Sequence, residues 1–113
     1  MNFLGNLFGH DDAKAAHQQV YNGSNHHKAS WTHELIAGAA GFAAMQAYEH
    51  HLTSTGETPS YAVMKELLAA FAAAEVMKLI ETKGLDAIDA AKAKHLAIKQ
   101  AHHLAKERYG AEF

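Results

Sequence analysis

Between Leu35 and Tyr48 the chain carries no charge, and its apolar and small residues fall on every side of a helical wheel. A helix that is apolar all round has no stripe suited to water. The segment from Ser30 to Leu52 is therefore expected to form a buried helix, capped by Ser30, on which the others lean. Ala37, Gly38, Ala40, Gly41 and Ala44 carry little side-chain bulk, so neighbouring backbones can come close. Trp31, Leu35, Phe42 and Met45 share one side of this helix, and Glu49 follows on the same side as a rim residue near its end.

The flanking pattern adds three more helices. Asp11 and Asp12 suit the positive end of a short helix running to about Tyr21 and closed by Asn22-Gly23. Thr58-Pro59 opens a helix that stops at Lys83-Gly84, with Tyr61, Met64, Leu68, Phe71 and Leu79 on one face and Glu75 in the middle of it. Leu85-Asp86 opens the last helix, which runs to about Tyr109. Its apolar arc of alanines with Ile98 and Leu104 has His95 and His102 at its edge. No stretch alternates with period two, and the connections near Gly56 and Gly84 are short. The predicted fold is all-α: a small bundle of three long antiparallel helices plus a short N-terminal helix. Residues 11–110 form one domain on this reading. Residues 1–10 form an arm whose Phe3, Leu4, Leu7 and Phe8 either tuck onto the bundle or join a second copy in a homo-oligomer.

Composition narrows the partners. A formal charge of −2 over 113 residues gives no electrostatic footprint for nucleic acid or an anionic membrane. Ten histidines would carry the charge from −2 to +8 if all were protonated (−2 + 10), which makes a response to acid a candidate property. The absence of cysteine removes disulfides, thiolate catalysis and Cys-ligated metals. The uncharged run falls short of the roughly 20 residues that cross a bilayer, and the N-terminus lacks a secretory pattern, so a cytoplasmic protein is expected.

The candidate chemistry is sparse. Adjacent helical histidines face different ways, no two histidines have chelating i, i+3 or i, i+4 spacing, and no metal or cofactor is expected. There is no Gly-x-Ser-x-Gly elbow and no phosphate loop. Glu75 is the sharper feature, because a carboxylate on an apolar face is costly unless paired. Counting outward from the turns brings it level with His95 and with Glu34 to Gly38. Glu75 is expected to contact His95, or else a hydroxyl or backbone donor on the central helix.

The run His27-Lys-Ala-Ser-Trp-Thr-His-Glu-Leu-Ile-Ala-Gly-Ala-Ala-Gly-Phe-Ala-Ala-Met-Gln-Ala-Tyr-Glu49 resembles the fungal CipC-like proteins, named for induction by concanamycin. The likeness extends through Gln19 to Gly23, Ala74 to Asp86, Ala91 to His95 and Ala105 to Gly110. It implies a small intracellular protein linked to stress or antibiotic response, with no established activity and no catalytic residues to carry over.

Three functions remain open on this reading. The first is a non-catalytic stress-response protein that binds or associates. The second is a carrier for a small apolar or haem-like ligand between helices, lined by Trp31, Phe42, Phe71 and Glu75, with His95 or His102 as haem ligands. The third is an acid–base enzyme using Glu75 and His95.

Overall fold

A computed structural model describes residues 9–22, 32–85 and 89–110. Trp31, Ser30 and most of the apolar arm lie outside the described residues. Four helices make up the fold: α1 (His10–Asn22), α2 (His33–Thr55), α3 (Tyr61–Lys83) and α4 (Ala90–Tyr109). Among the described residues there are no strands.

The helix starts are fixed by short polar side chains that satisfy otherwise unpaired backbone N–H groups. Thr32, rather than Ser30, caps α2 by accepting from the Leu35 N–H at 3.0 Å. Ser60, not Thr58, caps α3 through the Val63 N–H. Proline therefore precedes that helix instead of opening it. Asp89 caps α4 through the Lys92 N–H, so the last helix begins later than the Leu85-Asp86 signal suggests. Gly56 and Gly84 end α2 and α3 with φ of 70° and 65°, a left-handed turn that residues with a Cβ resist.

The core is built on α2. Every residue from Ile36 to Met45 is buried, as is Tyr48, and α2 touches all three other helices. Met64, Leu68, Ala72, Val76 and Leu79 of α3 pack inward together with Ala93, Ala97, Ala101 and Leu104 of α4. Fully burying Ile36, Leu68 or Leu79 contributes about 1.5–3 kcal/mol each. At Gly41 a methyl group would fall 2.5 Å from Gln100 Cγ and 3.1 Å from the Ala101 backbone nitrogen. The bare glycine is what lets α4 lie so close to α2.

Side-chain contacts define how the ends meet. His33 Nε2 accepts the Asp89 N–H at 3.0 Å, joining the starts of α2 and α4. The Tyr61 hydroxyl reaches the Tyr109 carbonyl, joining the start of α3 to the end of α4. α1 packs chiefly on α2 through Ala13, Ala16 and Val20. Its start lies near Glu107 of α4, and its end reaches α3, where Lys83 Nζ donates to the Tyr21 carbonyl.

Candidate functional site

A groove of about 370 Å³ opens between the start of α1, the second half of α2 and the last turns of α4. Its floor comes from Phe42 and Met45 on α2 and Leu104 on α4, each nearly buried. Positions 42, 45, 46 and 49 fall at i, i+3, i+4 and i+7, so one stripe of α2 supplies both floor and rim. The rim is polar, formed by His10, Gln46, Glu49, Glu107 and Arg108.

Glu49 organises the rim. Its Oε2 accepts from Arg108 Nε at 2.7 Å and from the Tyr109 hydroxyl at 2.9 Å. The Tyr109 phenol is pushed up to about 12, by burial first and then by the bond to Glu49 and its charge. Tyr109 also meets Tyr48 edge-on at 6.3 Å. The Tyr48 hydroxyl is buried and has no partner among the described residues. Glu107 lies 3.5 Å from His103 Nε2.

Along α1, two histidine rings rest on Phe42, His10 at 5.4 Å and His17 at 5.2 Å between centroids. His17 stacks on Tyr21 at 4.4 Å. Burial holds the His17 pKa below its ordinary value, against the opposing pull of Glu75. The Tyr21 hydroxyl donates to Glu75 at 2.6 Å, and the Tyr21 phenol is strongly raised by burial, by that bond and by the carboxylate charge.

The sequence-derived candidates scatter. Phe42 lies in the groove. Phe71 is half-buried and faces His51 edge-on at 6.1 Å, outside the groove. Glu75 does find a hydroxyl donor, but it is Tyr21 on α1 and not a group on α2. The Glu75–His95 contact is corrected by the geometry: His95 is exposed, because the buried side of α4 runs through Ala93, Ala97, Gln100 and Leu104 and leaves position 95 nearly opposite. His102 is half-buried with Nε2 3.0 Å from the Lys65 carbonyl, and burial lowers its pKa. Neither His95 nor His102 lines the groove, so the groove offers no haem ligand from that pair. Trp31 lies outside the described residues.

Arg108, Leu104, Gln46, Glu107 and His10 carry no site signal of their own in the sequence. The spacing of Phe42, Met45 and Glu49 marked the side of α2 on which they gather. Among the described residues, no three His, Asp or Glu side chains converge to hold a metal ion. No helix among them is long and apolar enough to cross a membrane.

The sequence pattern of the family described as "Virulence factor CipC-like" matches residues 16–108. Neither a comparison with curated proteins nor one with solved structures returned a match. The family pattern spans α2, α3, all of α4 but its last residue and the second half of α1, which includes every groove residue except His10. The chain belongs to the CipC-like family.

Proposed function

We propose that this protein is a non-catalytic binding protein of a stress or antibiotic response, and that its ligand sits in the groove between α1, α2 and α4. The observation that carries this reading is the pairing of a nearly buried apolar floor, Phe42, Met45 and Leu104, with a few polar groups at one rim. That combination is what a small-molecule site needs: area to exclude water, and directional groups to set orientation. The CipC-like family membership supplies the stress-response context. The acid–base alternative loses its pair, since Glu75 is held by Tyr21 and His95 faces solvent.

The test uses untagged protein and the neutral apolar two-ring dye prodan, together with native mass spectrometry for a retained small molecule. Gln46 is exposed at the rim, so Gln46→Trp can fill the mouth without repacking the core. The wild-type protein is expected to enhance dye fluorescence or retain a ligand, and Q46W to lose that at unchanged helicity. Equal dye binding and ligand retention in the two proteins would remove the groove as the site.

A further inference from the structure

We infer that the ligand of this groove is a small organic cation, a protonated amine carried on an apolar body. This inference rests on the binding function proposed above and names its chemistry. The charges on the lining are two carboxylates, Glu49 and Glu107, against one guanidinium, Arg108, which leaves one net negative charge when His10 is uncharged. The guanidinium charge is offset by Glu49, since Arg108 Nε is 2.7 Å from its Oε2. The Tyr109 hydroxyl donates to the same oxygen.

An acidic ligand would bring a third carboxylate to a rim whose single guanidinium is neutralised. An ammonium group would instead meet Glu107, the carboxylate that the Glu49–Arg108 pair leaves without an offsetting guanidinium. A bare metal ion is a poor occupant, because no three His, Asp or Glu side chains converge among the described residues and the floor is apolar. The floor therefore calls for an organic body, and the Met45 thioether adapts to an aromatic one. A volume of about 370 Å³ suits a skeleton of about two rings, at the small end of ligand sites.

Three probes share one skeleton and differ in charge: 1-naphthylmethylamine, 1-naphthylmethanol and 1-naphthylacetic acid. Each is titrated into the intact protein at pH 7.5 and low salt, following the Met45 methyl resonance by NMR to report occupancy of the groove. The amine is expected to bind about two- to fivefold tighter than the alcohol, with the acid weakest, as suits one partly exposed charge pair. Glu107→Gln should remove most of that preference, because the exposed Glu107 contributes charge and not floor. Added salt should narrow the gap in the same direction. If the acid shifts the Met45 methyl at equal or lower concentration than the amine, or if E107Q leaves the preference intact, the cationic ligand class is wrong and the binding function stands. If none of the three moves that methyl, the binding function falls with it.

Discussion

Tyr48 carries its hydroxyl into the core, with 0 % of the residue exposed and no partner for the oxygen among the described residues. A buried polar atom left unpaired costs about 1–3 kcal/mol, whereas its ring contributes the same burial with or without the oxygen. Tyr48→Phe is therefore expected to raise stability by about 1 kcal/mol, read as a higher urea midpoint with an unchanged slope. A loss of stability would mean that the oxygen has a partner, such as a trapped water. Glu75 shows the opposite case. That a carboxylate on the inner face of α3 must find a donor was legible from one residue on an apolar stripe. Which donor was not, because Tyr21 reaches it only through the path that α1 takes across α2, and no local pattern records that path. Glu49 was legible as a rim residue from its wheel position alone, and its tie to Arg108 was not.

At the scale of elements, a helix without a polar stripe has one place to go, and α2 is buried from Ile36 to Met45. The glycines in it were readable as sites of close approach, and Gly41 is one, with Gln100 Cβ 2.8 Å from the position of an added methyl. Gly41→Ala would gain about 1 kcal/mol of helix propensity. It would also force α4 outward, at a cost of about 1–3 kcal/mol for overpacking. The crowding atoms include Gln100 Cβ and a backbone nitrogen, which no rotamer change can move, so the cost should win. G41A is expected to melt lower than the wild-type protein, and G41A/Q100A to recover only part of the loss, since alanine keeps the offending Cβ. The helical wheel of α4 misleads for a related reason. Counting Ile98 as inward rotated the arc toward His95, whereas the buried side includes Gln100, only 1 % exposed. Polarity argued against burying a glutamine, and the close approach at Gly41 overrode it.

For the molecule as a whole, acid sensitivity has a defined sign. His17 and His102 both titrate below the ordinary 6.5 in the folded state, each chiefly because burial disfavours the charged ring. Around His17, Glu75 pulls the other way. Around His102, the Lys65 carbonyl opposes the shift and the Lys65 charge adds to it. As pH falls through about 6.5 the unfolded chain takes up protons that these folded sites resist, so their contribution is intact above that pH and lost on the way down. The urea midpoint is expected to fall between pH 7.5 and 5.5. His17→Phe with His102→Gln, which keeps a ring on Tyr21 and a donor for the Lys65 carbonyl, should flatten that dependence. An equally steep profile in the double variant would place the acid sensitivity elsewhere.

The placement of α1 carries a consequence for the wall of the groove. The other three helices fasten to one another, through His33 to Asp89, Tyr61 to Tyr109 and the shared packing on α2. α1 is the shortest of the four and is held mainly by one neighbour, yet it supplies the His10 wall of the groove. Unfastening this one segment releases that wall while the remaining trio keeps its seams. Amide hydrogens of α1 should accordingly trade with deuterium sooner than those of α2, and an occupant spanning from His10 to the floor should slow that trade.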